Sequence, residues 1–201
     1  MWMFLDQQLA RDSARLLRDV RVPAGSEDHL ASVLADESHS LSDDFVHGLL
    51  SEPGVPLTSR LEELKAFQGW MDVASTVASP VVTRAQVLTQ LYFCFVYLQE
   101  SLYRELKNHA TTGGALHRCA RYLSDNPVRA LRNAVAHGNW HYRTDFKALV
   151  FYARKGTDPN EPVCRWEVEQ AELDFWQRLA RTVAYVVMTV ASERTLETRL
   201  H

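Results

Sequence analysis

Arg132 and His137 stand five positions apart in the stretch Leu131-Arg132-Asn133-Ala134-Val135-Ala136-His137-Gly138. Five residues turn about 140° round a helix axis, so the guanidinium and the imidazole do not share a face. Asn133 and His137 are four apart and do share one, which predicts that the Asn133 amide orients the imidazole while the longer Arg132 side chain reaches round to the same space. An arginine and a histidine without a carboxylate pair or a metal cluster suit RNA cleavage well. RNA carries its own nucleophile, the 2′-hydroxyl, so the site needs a base, an acid for the leaving 5′-oxygen and a cation for the phosphorane. A placed acid or base contributes roughly 10²–10⁴-fold, and a fixed guanidinium grips phosphate bidentately. One copy of the segment supplies one imidazole and one cation. A two-fold dimer would supply two of each, which predicts a homodimer with a composite site at its interface. A His-Gly pair also serves as an ordinary helix end, and an arginine beside it as a solvated or salt-bridged residue. The chemistry alone leaves both readings open.

The elements that must position these groups read as helical. Leu5, Leu9, Leu16, Leu17 and Val20 recur at helical spacing over about 4–21, and Pro23 with Gly25 ends the run. Leu30, Val33 and Leu34 mark a short helix. Ser40 to Asp44 form a capping segment ahead of Phe45, Val46, Leu49 and Leu50. Pro53, Gly54 and Pro56 are the clearest linker punctuation, which divides the chain into an N-terminal helical extension, 1–55, and a bundle domain, 56–201. A helix is expected from Thr58 to about Val77. A long one follows from about Thr83 to Asn108, with Val87, Leu91, Phe95, Leu98, Leu102 and Leu106 on one face and an apolar middle that belongs at the bundle's centre. After Thr111 to Gly114 comes a short helix through Leu116, Cys119 and Leu123. Ser124-Asp125-Asn126-Pro127 then offers cap and first-turn chemistry for a helix to His137, which Gly138 stops. The runs 148–153 and 163–168, with loop residues between, predict a β-hairpin. A final helix runs from Glu169 to about Arg194. The fold class is all-α: about five core helices, a small β-hairpin before the last, and the N-terminal extension.

Composition limits what such a bundle can do. The 201 residues are 46% hydrophobic and 23% charged, enough apolar matter for a core. A net charge of −3 excludes a broad electrostatic grip on nucleic acid, so any contact with RNA must be local. The three cysteines are scattered without a CxxC pair, which indicates neither a zinc site nor a disulfide framework, and no cofactor or metal is expected. The N-terminus lacks signal-peptide character, and no apolar run approaches the roughly 20 residues of a membrane span. A cytoplasmic protein is the expectation.

The segment resembles the Arg-x4-6-His motif of the HEPN superfamily, including the polar residue directly after the arginine that marks its ribonuclease branches. The helix order over roughly 57–198 is similar too, with the motif ending one core helix ahead of the last long one. The resemblance implies a metal-independent endoribonuclease, often in toxin–antitoxin or antiphage systems, that dimerises to form its site. Some members instead bind RNA or serve as partner subunits without cutting. It casts His137 as general base or acid, Arg132 as the phosphate and transition-state cation, and Asn133 as orienter. RNA is the expected partner, together with a cognate antitoxin or other protein.

Glu100 lies with Tyr103, Arg104 and Glu105 near the end of the long helix, where such proteins often place a supporting polar residue. The same residues also read as surface charges and an interface tyrosine. His141 could add a second imidazole, and Trp140 or Tyr142 a base-stacking platform, although both aromatics equally fit packing against the bundle. Arg118, Arg121 and Arg129 offer a local phosphate patch or scattered solvated charge. His109 and His117 lack metal-ligand spacing and read as surface residues.

Overall fold

The computed structural model describes residues 29–51, 88–145, 147–156 and 158–200, together with Glu62 and Ala66. The helices expected over 4–21 and from Thr58 to Val77, the boundary at Pro53 to Pro56, and residues 83–87 lie outside these. Among the described residues the chain is mostly helical, with a small antiparallel sheet ahead of the final helix.

Helix α1, Leu30–Ser38, and α2, Asp43–Ser51, come first. A central helix then covers residues 88–109. Two α-helices follow, α4 (Ala115–Ser124) and α5 (Val128–His137), and then strands β1 (Trp140–Tyr142), β2 (Ala148–Ala153) and β3 (Cys164–Glu169). Helix α6, Gln170–Leu200, closes the bundle. The expected apolar stripe of the central helix is realised: Leu91, Phe95, Leu98, Leu102 and Leu106 are all buried. Its winding differs from expectation. Tyr92–Tyr97 (π1) and Gln99–Tyr103 (π2) form π-helix, and only Arg104–His109 (α3) returns to α geometry. Bonding from i to i+5 inserts extra residues without changing which side chains are apolar, so a reading based on hydrophobic spacing does not register it.

The segment before the expected boundary shares the core. Leu30, Ala31 and Leu34 are fully buried and belong to the same apolar cluster as Leu116, Leu131 and Val183. A polar contact fastens it further. Both carboxylate oxygens of Glu37 accept from the first turn of α4, from the Ala115 amide at 2.8 Å and the Leu116 amide at 2.7 Å. These amides have no partner inside their own helix, and the positive end of the helix dipole favours the anion. A Cβ on Gly114 would lie 2.6 Å from Glu37 Oε2, so glycine makes room there for the carboxylate. Phe45 of α2 stacks on the exposed His109 ring at the end of α3, centroids 4.7 Å apart.

The sheet has order β1-β2-β3, so the expected hairpin gains a third strand. Trp140 pairs with Phe151 and Tyr142 with Leu149. This register turns both aromatics toward the core, where they pack as partly buried residues. Phe151 stacks on Trp166, with centroids 6.2 Å apart and planes 4° apart. On α6, Trp176 Nε1 donates to Tyr122 Oη at 3.0 Å, while the Ala180 carbonyl accepts from Tyr103 Oη at 2.9 Å. Burial pushes the Cys94 thiol up to about 11 and the Cys119 thiol up to about 12, so both are core residues rather than nucleophiles. No described helix is long and apolar enough to cross a membrane.

Candidate functional site

Helix α5 carries Arg132, Asn133 and His137, and its two ends fix where they sit. The expected side-chain cap at its start does not form. Asn126 Nδ2 donates instead to the Lys155 carbonyl at 2.8 Å, and the Asp125 carboxylate takes Lys107 and Arg121, each at 3.2 Å. Proline at position 127 leaves one orphan amide fewer to satisfy, and the Asp125 and Pro127 carbonyls accept from Arg129 and Leu131. The far end is as expected. Gly138 has φ +71°, its amide bonds the Val135 carbonyl, and the Asn139 amide bonds that of Ala134. This paired closure needs a left-handed residue, and glycine enters that conformation without a Cβ penalty. The Asn139 carbonyl then accepts from the Tyr152 amide at 2.9 Å, pinning the helix end to β2.

Arg132, Asn133 and His137 line one cleft of about 620 Å³, open between α5, the central helix and the β2–β3 loop. Glu100, on π2, lies in it beside them and pairs with the Arg132 guanidinium. Its other oxygen takes Arg104 at 3.4 Å. Arg132 Nη1 donates to Asn133 Oδ1 at 2.9 Å. This arrangement revises the expected division of labour. Asn133 bonds the arginine, and no hydrogen bond joins it to His137 among the described residues. Arg132 and His137 line the same cleft within one chain. The His137 side chain is exposed, lines the cleft and makes no hydrogen bond among the described residues.

Charge is concentrated here. Besides Arg132, the cleft is lined by Arg104, Lys107, Arg129 and Arg154, against the carboxylates of Glu100 and Asp125. A chain of net charge −3 thus gathers five fixed cations round one opening. Arg129 makes no ion pair among the described residues, and Arg154 spends its Nε on the Glu161 carbonyl at 2.9 Å.

Of the other sequence candidates, Arg129 lines the cleft and Arg121 does not; Asn139, directly after Gly138, lines it too. Arg121 is held on the exposed side of α4 by Asp125. Trp140 packs edge-on to Tyr142 on the core side of β1, away from the cleft lining. His141 lies on the outer side of the sheet, stacked on Tyr152 with centroids 6.0 Å apart. Tyr152 itself lines the cleft, as do Gln99, Ser124, Lys107 and Arg154. None of these five was a sequence candidate. Strand alternation is the one signal that bears on Tyr152, since it places that ring on the face opposite Phe151. Among the described residues no group of three or more His, Cys, Asp or Glu side chains is placed to hold a metal ion. No protein-family model, curated protein or solved structure matches this chain.

Proposed function

We propose that the chain is a metal-independent endoribonuclease of the HEPN type. The observation that carries the reading is the meeting of Arg132, Glu100 and an unencumbered His137 in one cation-lined cleft. The local charge answers the objection raised by the acidic composition: a few phosphates of a single strand bind here without a basic surface elsewhere. His137 takes the proton from the 2′-hydroxyl or returns one to the 5′-oxygen. The guanidinium, held by Glu100 and Asn133, bears the charge of the phosphorane, and Arg129 holds an adjoining phosphate. Products are a 2′,3′-cyclic phosphate and a 5′-hydroxyl.

The cleft holds a single histidine among the described residues, whereas the reaction uses both an acid and a base. A homodimer supplies the second. Residues 136–139 form an exposed run at the end of α5, and this is the surface a second copy would meet. The cellular role that goes with this activity is that of a cytoplasmic toxin or antiphage effector held in check by a cognate antitoxin. A second reading, an RNA-binding or partner-binding subunit that does not cut, is favoured by one observation: Glu100 and Asn133 already occupy part of the Arg132 guanidinium.

The test is cleavage of single-stranded RNA by the purified chain in EDTA, with product ends mapped. Cleavage that persists in EDTA and disappears in His137→Ala supports the nuclease. RNA binding without cleavage by the wild type supports the second reading. Cleavage abolished by EDTA or unchanged in His137→Ala sinks the assignment.

A further inference from the structure

The floor of the cleft contains polar atoms that the cations do not explain. Gln99 and Ser124 line it, and each is only 9% exposed. Gln99 Oε1, Ser124 Oγ and Arg132 Nε are all buried without a hydrogen-bond partner among the described residues. Buried polar groups in folded proteins are nearly always paired, so three orphans gathered at one opening call for a ligand that pairs them. Phosphate is the wrong ligand for this set. It could accept from Ser124 Oγ and Arg132 Nε, but a phosphodiester has no donor for the Gln99 carbonyl. The set needs a group that presents donors and acceptors side by side. A primary amide offers that alternation, and rotation about its last bond exchanges its two ends. A hydroxyl both donates and accepts. The Watson–Crick edge of every nucleobase, open in a single strand, presents donors and acceptors side by side.

The wall of the cleft fits the same ligand. Tyr152 keeps 38% of its surface exposed, Val163 keeps 54%, and both line the cleft with Pro159, giving it apolar surface besides the cations. His141 backs the Tyr152 ring in a near-parallel stack, with planes 24° apart. The sheet register and the Tyr152 amide bond to Asn139 fix the ring beside the end of α5. An aromatic face in a cation-lined cleft is the combination on which a base of single-stranded nucleic acid stacks.

We propose that Gln99 and Ser124 form a base-reading subsite, with Tyr152 as its stacking wall, that selects one nucleotide flanking the phosphate held by Arg132 and Arg129. The proposal rests on the nuclease reading for its substrate, RNA, and extends it from phosphate chemistry to sequence preference. Discrimination comes from the amide and the hydroxyl, because only they read an edge. Stacking on Tyr152 tightens every base alike. His141 acts through Tyr152 as a positioning residue.

The experiment uses the full chain and two sets of short oligonucleotides. One set is DNA with a single ribonucleotide, which fixes the cut position, and all four bases are placed in turn at that nucleotide and the next. The other is 2′-O-methyl RNA of the same sequences, which binds without being cut, read by fluorescence anisotropy. Wild type is expected to prefer one base by roughly tenfold or more, the discrimination of a good bidentate contact. Gln99→Met and Ser124→Ala are expected to flatten that preference, with melting temperatures equal to or above wild type because each removes an orphaned polar group. Tyr152→Leu is expected to weaken binding of all four bases by about tenfold and leave their order unchanged. Cleavage without base preference, or a preference that survives both Gln99→Met and Ser124→Ala, overturns the subsite and leaves the nuclease standing. Base-selective binding of the 2′-O-methyl set that those variants flatten, in a chain that cuts nothing, upholds the subsite and removes the nuclease. Absence of both binding and cleavage overturns both.

Discussion

Replacing Arg132 by lysine separates the charge of that side chain from its shape. A guanidinium has five N–H donors in a rigid fork. In this structure one goes to Asn133 Oδ1 at 2.9 Å and one to Glu100, Nε is buried without a partner among the described residues, and the other two Nη donors are left for a phosphate. An ammonium keeps the charge but offers one nitrogen, so it cannot hold Asn133 and Glu100 and still present a planar pair of donors. The loss therefore falls on transition-state contacts. Removing one such donor costs about 10²–10³-fold in kcat, or about 2.7–4 kcal/mol. Stability should respond little. The Arg132 and Glu100 side chains are 25% and 46% exposed, and a pair that open to water contributes under about 1 kcal/mol. For a chain of this size that is a shift of at most about 4 °C in Tm. The assay is single-turnover cleavage of a fluorophore-quencher RNA in EDTA, with thermal melts on the same preparations. The expected result for Arg132→Lys is a rate lower by two to three orders of magnitude with a nearly unchanged melt. A rate within about threefold of wild type would refute the assigned role. So would a rate loss matched by a melt lowered by about 10 °C, since the arginine would then be holding the fold rather than the phosphorane.

Two further predictions concern how the frame is held. Glu37→Ala leaves the first amides of α4 without an acceptor, a loss of about 2 kcal/mol by analogy with helix caps that should lower the melt by about 4–8 °C. Glu37→Gln, which keeps one acceptor oxygen, should lose about half as much, and an alanine variant that melts with wild type would dismiss the contact. On the sheet, the Arg143 guanidinium bonds Asp145, Glu167 and Glu169, and holds the Asp145 and Glu167 carboxyls below the usual carboxylate range. A depressed folded-state pKa contributes stability above the unfolded value, near pH 4, and loses it as pH falls through the folded values. Arg143→Gln should therefore melt below wild type at neutral pH, with the gap closing as pH falls below the unfolded value, as followed by circular dichroism. A gap that persists undiminished at the acid end would rule out the carboxylates as its source.

The parts legible in the sequence are those whose cause is local. The stop at Gly138 follows from a residue that alone enters φ +71° cheaply. The strands at 148–153 and 164–169 follow from β-prone runs separated by loop chemistry, and the stripe from Leu91 to Leu106 from the spacing of buried apolar residues. Strand β1 was missed because three residues, Trp140 to Tyr142, are too few to show a period. It exists by lateral pairing with β2. Asn133 illustrates the limit of helical arithmetic. It shares a face with His137, yet its amide serves Arg132, because the guanidinium next to it was already drawn toward Glu100.

The sequence by itself determined that Arg132 and His137 end a helix, that glycine stops it, and that the chain carries no charge excess with which to hold nucleic acid broadly. Periodicity states which side of a helix is buried, and turn chemistry states where it ends. Neither states which polar groups from other helices arrive alongside. The tertiary structure alone decided that Glu100, 32 positions before Arg132, meets it, and that Glu37 closes a helix 78 positions away. It also decided that Arg104, Lys107, Arg129 and Arg154 crowd one cleft with Gln99 and Ser124 beneath them. Convergence of this kind depends on how the helices and the sheet pack against one another and on the π winding that carries Gln99 and Glu100. These are properties of the packed core, and the spacing of residues along the chain does not contain them.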